Sequence, residues 1–433
     1  MRKYHQLLLV VISCISIIVL LTYKSENTRL KDVLSAVNFF GRKDAEELRL
    51  VNNFTATDED IIDFNRPMPV WQLIGSSFHA YASYWYRNEL VSSGGEVLTL
   101  VTGKIGAVVN FRCSAYYDNE RIVQGRFRFQ HINQGTNNND TIFSNYIFYC
   151  RLKSDLGEPT SIVYTDVGGG SNADHKLRLR AIKNENRSNV PQTQLAICLD
   201  LVTLNISNSF GRNDANWLEF FLHHYVLGIN QFIVYNGDEL SEMLLQQLRK
   251  HKKLQIHSLP FNFPFTDKNH TSNLRDMIRT DCLLRCMHKA KFSILLQPNE
   301  FFFPNAKLSD YHSVMYSLHS HSTDNTAFEL QTYSVCIDKK NKLLTNNSFY
   351  DPEVVKPHQI YIYRPLVPTS ATNSPAGSTS STAIAQSLAF AHRYIDCTHV
   401  GKDGLHTWHN TLRQNFMNTI ISNRLEVKEL MHK

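Results

Sequence analysis

The sequence has no long Lys/Arg block and no nucleic-acid-binding motif. Its 45 basic and 39 acidic residues leave a formal net charge of only +6 over 433 residues. So mild an excess argues against a polynucleotide partner, while still suiting anionic ligands such as nucleotide diphosphates. Zinc-site spacing is also missing: Cys282 and Cys286 stand one helical turn apart, and no second pair follows them. The first apolar run lacks the small residues of a cleavage site, ending instead in Leu20-Leu21-Thr22-Tyr23-Lys24, which disfavours a cleaved leader. Charged residues make up 19% and hydrophobic ones 42%, a globular balance that excludes wholesale disorder.

What is present begins at the N-terminus. Arg2 and Lys3 precede Leu7 to Leu21, an apolar run that with Thr22 and Tyr23 just reaches membrane-spanning length. The basic flank predicts a cytoplasmic tail at 1–6, a transmembrane signal anchor at 7–23 and a stem at 24–69, with everything beyond the anchor lumenal or extracellular. Six Asn-x-Ser/Thr triplets, at Asn53, Asn139, Asn186, Asn205, Asn269 and Asn346, agree with a secretory route. Outside the anchor there are seven cysteines, so at least one remains a thiol. Cys113 with Cys150, and Cys336 with Cys397, are the expected disulfides. Cys282 and Cys286 raise a metal or a bridge, but thiols at i and i+4 on a helix are awkward to join, and buried packing is their expected role.

The grammar of the chain changes twice. Between 70 and 190, segments such as Phe78 to Tyr86, Val97 to Thr102, Ile105 to Tyr117, Gly125 to Phe129 and Tyr146 to Cys150 are rich in β-branched and aromatic residues, with Gly, Asn or Asp between them. They predict a small antiparallel β domain, whose aromatics are expected to form its core rather than a carbohydrate-stacking surface. From Gln194 strands alternate with helices: strands at Leu195, Gln231, Leu254 and Phe292, and helices through Trp217 to Leu227, Leu240 to His251 and Asn273 to Lys289. Such βα repeats predict an α/β domain at 194–400 with a mostly parallel sheet and helices on both faces. Further elements are a helix from Ser309 to His319, strands from Ala327, Gln359 and Leu388, and a C-terminal helical extension at 401–433. Pro368 to Thr382 is low in complexity and predicts a loop, either an insertion without function or a lid over the site.

The strand at Phe292 ends in Gln297-Pro298-Asn299-Glu300, followed by Phe301-Phe302-Phe303-Pro304. In open α/β sheets ligands bind beyond the carboxyl ends of strands, so Gln297, Asn299 and Glu300 are the leading site candidates.

Several segments then resemble glycosyltransferase family 92. These are Trp217-Leu-Glu-Phe220 with His223-His224-Tyr225, Phe232 to Tyr235, Asp281-Cys-Leu-Leu-Arg285, the Gln297 to Phe301 stretch with Pro304, and Ala391-His-Arg-Tyr394. The resemblance implies a GT-A-like Rossmann-type domain in a single-pass type II Golgi membrane protein. It implies inverting transfer of a hexose, with UDP-galactose as expected donor, onto a glycan or glycoprotein acceptor. In the family an Asp-x-Asp element holds Mn²⁺ against the diphosphate; carried over by position, those aspartates are Gln297 and Asn299 here. The remaining metal candidates are Asn299, Glu300 and His392, and the nucleotide-sugar set is Gln297, Asn299, Arg279 and Arg285. Metal-independent transfer helped by Arg275, Arg279 or Arg285 is the other route that this departure opens. An acceptor base is sought among carboxylates, Glu300 and Glu329 being the candidates. His223 and His224 are expected to serve fold packing. Two alternatives stand beside the enzyme: a catalytically inactive relative that binds glycans or partner enzymes, and a membrane-anchored extracellular binding protein using its β domain.

Overall fold

The computed structural model describes residues 71–407, apart from 87–93, 133–141, 168–176, 181–192, 204–213, 236–239, 266–270, 305–310, 321–326, 338–343, 355–358, 365–380, 397–405 and shorter gaps. The predicted anchor and stem, most of the 368–382 loop, the C-terminal helix, Cys397 and five of the six glycosylation triplets fall outside the described residues. Asn346, the sixth, stands in a 3-10 turn, Leu344–Asn346. Among the described residues no helix is long and apolar enough to cross a membrane.

The first half forms strands, as its aromatic and β-branched segments predict. They are β1 (Gln72–Ile74), β2 (Phe78–Tyr86), β3 (Gly95–Lys104), β4 (Phe111–Tyr116), β5 (Ile122–His131), β6 (Phe143–Leu152), β7 (Ser161–Asp166) and β8 (Leu177–Arg180). Their order is β1-β2-β3-β6-β5-β4-β7-β8, and β8 returns to pair with β2, closing the ladder into a barrel. Every pairing is antiparallel except the closing one. Phe78, Phe111, Phe148 and Tyr164 are buried in one core, so these aromatics fill the barrel, as expected. The predicted Cys113–Cys150 disulfide is present. It joins β4 to β6 across the intervening β5 at Gly125, where an added Cβ would meet Cys150 Sγ at 2.2 Å. Glycine is what lets the bridge pass.

The second half is the α/β segment. Strands β9 (Thr193–Asp200), β10 (Gln231–Tyr235), β11 (Gln255–Leu259) and β12 (Ala290–Leu296) are parallel neighbours in the order β11-β10-β9-β12. Between them come helices α1 (Asp214–Val226), α2 (Glu242–Leu248) and α3 (Thr271–Cys286). Next along the chain are β13 (Glu300–Pro304), helix α4 (Tyr311–Ser320), β14 (Ala327–Cys336), β15 (Phe349–Val354) and β16 (Ile360–Tyr363). The last are β17 (Ser381–Ala383), β18 (Ala389–Ile395) and β19 (His406–Thr407). The expected mostly parallel sheet is corrected here: β16 joins β12 antiparallel, β14 joins β16 antiparallel, and β13 pairs β18 antiparallel, so the sheet is mixed.

Helix α3 lies between the two halves. Its Met277, Ile278, Cys282 and Leu284 share one buried cluster with Ala196, Cys198 and Tyr235 of the sheet and with Tyr84, Leu98 and Ile147 of the barrel. The expected packing role of Cys282 is corrected: it forms a disulfide with Cys198 on β9, 84 residues away in sequence. Helix spacing forbids Cys282 from reaching Cys286, but it turns Cys282 onto the sheet, where β9 supplies the partner. The Cys198, Cys282 and Cys286 sulfurs lie within 4.8 Å of one another, and the bond between two of them leaves no metal site there. Cys336 is also disulfide-bonded. Breaking the α3–β9 bridge by Cys282→Ser should lower unfolding free energy by about 2–4 kcal/mol, read from the urea midpoint under non-reducing conditions. Cys286→Ala, which keeps the bridge, should cost about 1 kcal/mol.

Candidate functional site

The carboxyl ends of β9 and β12 lie side by side, because the two strands pair in parallel from Thr193/Ala290 to Leu199/Leu296. Each apolar strand ends in a polar turn. After β9, Asp200 Oδ1 accepts hydrogen bonds from the Val202 and Thr203 backbone N–H groups at 3.0 Å, and Oδ2 accepts one from the Thr203 hydroxyl. This is the local turn that aspartate side chains favour. After β12, Gln297-Pro298-Asn299-Glu300 is a tight turn in which Glu300 N–H donates to Gln297 C=O at 2.9 Å. Proline at the second position suits such a turn. Glu300 folds its carboxylate back on the turn, where Oε2 accepts the Gln297 N–H at 2.9 Å.

Around these turns four charged side chains interlock. Arg275, on the first half of α3, places Nη2 at 2.9 Å from Glu300 Oε2 and Nη1 at 3.7 Å from Asp200 Oδ2. Arg393, opposite Glu300 on β18, donates from Nε and Nη2 to Glu300 Oε1 at 2.9 and 2.7 Å. The Glu300 and Asp200 side chains are 0% exposed, Arg393 is 10% and Arg275 19%. Burial pushes the Glu300 carboxyl up, yet Arg275 and Arg393 outweigh it and hold the group below its ordinary range. At Asp200 burial wins over Arg275 and Thr203, and its pKa is raised. Burial lowers the Arg275 pKa, but Glu300 and Asp200 more than offset this, and the guanidinium stays charged.

The two amides belong to the same frame. Gln297 Nε2 donates to Thr203 Oγ1 at 3.1 Å, tying the β12 turn to the β9 turn. Asn299 is clamped to β18: its Nδ2 donates to Tyr394 C=O at 3.0 Å, and its own C=O accepts the Tyr394 N–H at 2.8 Å. Asn299 Oδ1 is buried and has no hydrogen-bond partner among the described residues.

Residues 208–360 match the model of glycosyltransferase family 92. No curated protein matches the chain. The matched segment runs from before α1 to the first residue of β16, and so contains the Gln297–Glu300 turn and the whole of α3. A family of this kind takes a sugar donor and a glycan acceptor. The match stops short of the resembling Ala391-His-Arg-Tyr394 segment; the barrel, Asp200, His392 and Arg393 lie beyond it.

The structure sorts the candidate residues by sheet face. Glu300 pairs across strands with Arg393, and Phe301 with His392, so Glu300 and His392 point to opposite faces. Glu300 faces α3. His392 lies 4.5 Å from the Phe303 ring and 5.2 Å from Phe390, among aromatics packed toward α1. The expected metal set Asn299, Glu300 and His392 is therefore not brought together: a strand's alternation separates its last two members. Arg285 is corrected as a nucleotide ligand, being buried and held in an ion pair with Asp281. Arg279 remains available on the α3 face, partly exposed and paired to Asp276 at 2.9 Å. Glu329 is half-buried on β14 opposite Tyr361, whose pKa burial and the Glu329 charge both raise.

His223 and His224, within the matched segment, hold β13 to α1, as expected of packing residues. Phe302 N–H donates to His224 Nε2 at 3.3 Å, so the opposite ring nitrogen carries the proton and donates to Phe220 C=O at 2.8 Å. His223 Nε2 donates to Phe302 C=O at 2.9 Å. Glu219 of the Trp217-Leu-Glu-Phe220 motif caps the 3-10 turn, accepting from the Leu344 and Thr345 N–H groups.

Burial, together with His223, pushes the His392 pKa down to about 3 from 6.5. The unfolded chain binds that proton below pH 6.5 while the native state refuses it, so stability is lost as pH falls through this window. The slope should approach about 1.4 kcal/mol per pH unit. His392→Phe, which suits the surrounding rings, should flatten this acid limb in urea unfolding measured between about pH 4 and pH 7.

Sequence reading missed Asp200 and Arg393. Asp200 carries a visible signal, an acid closing an apolar strand with Thr three residues on. Arg393 sits in the noticed Ala391-His-Arg-Tyr394 segment, but only strand register shows that it, and not His392, meets Glu300.

Proposed function

We propose that the chain is a glycosyltransferase of the secretory pathway that transfers a hexose from a UDP-sugar to a glycan with inversion, UDP-galactose being the first donor to test. The observation that carries this reading is that the family 92 match holds the β12 strand end and α3, whose Arg275 reaches the strand end of β9. Four parallel strands alternating with helices support a GT-A-like, Rossmann-type arrangement for the donor site. Placement in the Golgi membrane as a single-pass type II protein rests on the apolar run at 7–23, its basic flank and the six glycosylation triplets.

Donor binding falls to the strand ends of β9 and β12 and to α3, with Gln297, Asn299 and Arg279 at hand. Glu329 is the acceptor base in this reading, because Glu300 is enclosed by two guanidinium groups. The Mn²⁺ that the family implies does not fit the residues present. Both Glu300 oxygens and both Asp200 oxygens are already engaged, and the amides at 297 and 299 are neutral, so no step is assigned to a metal.

The test is turnover of a panel of UDP-sugars on a glycan acceptor array, run with Mn²⁺ and with EDTA. Glu329→Gln should cut turnover by about 10²–10⁴-fold while calorimetric UDP binding persists. The enclosed Glu300 favours one second reading, an inactive relative that binds glycans or partner enzymes; it predicts no turnover in any arm. Absence of UDP binding would overturn the enzyme reading itself.

A further inference from the structure

We infer that the Arg275 guanidinium takes the place of a divalent cation between Asp200 and Glu300, and that this chain binds its anionic donor without a metal. The inference deepens the donor-site reading and rests on it for its bearing on catalysis; the exclusion of metal rests on the geometry alone.

Asp200 closes β9, and Glu300 opens β13 just past β12. Two buried acids at adjacent strand ends are what a divalent cation would bridge, needing oxygen atoms about 2.0–2.6 Å away. Here the bridge is Arg275, at 2.9 Å from one acid and 3.7 Å from the other. The remaining lone pairs are spoken for. Glu300 Oε1 takes two donors from Arg393, and Oε2 takes the Gln297 N–H besides Arg275. Asp200 Oδ1 takes two backbone donors, and Oδ2 takes the Thr203 hydroxyl.

What is left for a cation is amide oxygen. Asn299 turns its Nδ2 to Tyr394 and leaves Oδ1 buried without a partner among the described residues. Gln297 turns its Nε2 to Thr203. Neutral oxygens beside a fixed guanidinium make a poor cation site, since the like charge repels the ion and no anionic ligand is free to offset it. Two carboxylates and two guanidinium groups, Arg275 and Arg393, also make the cluster neutral without any ion. Arg275 thus supplies a fixed cation where the family resemblance implies an exchangeable one.

The experiment measures Mn²⁺ binding by the loss of free-ion EPR signal on the full chain and on two variants, with far-UV circular dichroism to check folding. Wild-type protein should leave the Mn²⁺ signal undiminished, and its thermal midpoint should not move with added Mn²⁺. Gln297→Asp/Asn299→Asp, retaining Arg275, should bind no stoichiometric Mn²⁺. Adding Arg275→Met to that pair should produce binding of one equivalent. Stoichiometric Mn²⁺ binding by wild type, or by the double variant, would overturn the inference, as would a folded triple variant that binds none. Wild-type binding needs no variant to fold, and none of these readouts depends on turnover, so failure of the donor-site reading would be seen separately in the UDP titration.

Discussion

Glu300→Ala should destabilise the protein by about 3–5 kcal/mol, because it removes the buried carboxylate that two guanidinium groups share. Arg393 loses its carboxylate at 2.7 Å altogether, and Arg275 keeps only Asp200 at 3.7 Å. The Gln297 N–H also loses its acceptor, which loosens the turn that carries the site. Glu300→Gln should recover little of this, since an amide restores the acceptor but not the charge. Denaturant unfolding of the two variants checks the size of the effect. A double-mutant cycle with Arg393→Gln should return a coupling of about 2 kcal/mol or more. A loss below about 1 kcal/mol would show that the cluster is solvated and that Glu300 is free for other work. The pH dependence has a definite sign. Glu300 has a depressed pKa in the fold, so its contribution is complete above the ordinary value of 4.5 and disappears as pH falls through the native value. Lost turnover in Glu300→Ala would therefore report folding before it reported catalysis, which is why Glu329 and UDP binding are the better probes of function.

The strand end that carries the candidate site was legible in the sequence; the wiring around it was not. Phe292 to Leu296 followed by Gln-Pro-Asn-Glu announces a buried strand and the turn that ends it, since both are local properties of composition and period. Glu300 and Asp200 are 100 positions apart in sequence, and what joins them is a side chain from a helix between. No local pattern reports such a meeting. Phe301 to Phe303 shows a related limit: three consecutive apolar residues give no alternation, because β13 is buried on both faces, and the strand was not foreseen. Strands β2 to β6 of the barrel were legible from their aromatics and turn residues, while the three-residue β1 was not. Closure through Leu177–Arg180 was not, since Arg178 and Arg180 make that strand look like polar loop. Cys198 and Cys282 could be paired only after the helix of one was laid on the strand of the other.

Asp281→Asn should lower unfolding free energy by a similar amount, about 3–5 kcal/mol, and for a different reason. Asp281 is 0% exposed and lies where the two halves of the chain meet. Its carboxylate pairs with Arg285 one turn along α3, and accepts hydrogen bonds from the Tyr84 hydroxyl of the barrel and from the Tyr235 hydroxyl of β10 at 2.7 Å. The Arg285 guanidinium lies over the Tyr81 and Tyr84 rings at 5.9 and 5.7 Å. Burial lowers the Arg285 pKa, but Asp281 and the tyrosines more than offset this, so the charge stays in place; Asp281→Asn removes the largest of these contributions from a buried charge. Tyr84→Phe, which deletes one hydrogen bond and keeps the ring, should cost only about 1–2 kcal/mol, and the contrast separates charge from packing. The same geometry bears on the boundary expected near residue 190. Tyr84, Leu98 and Ile147 of the barrel share their core with Met277, Ile278 and Leu284 of α3. Residues 194–400 expressed alone would expose that surface and the Arg285–Asp281 pair to water, and should be recovered as aggregate, whereas the chain from residue 70 onward should be soluble. A soluble, cooperatively unfolding 194–400 fragment would show that the barrel is a dispensable appendage and that α3 is stable without it.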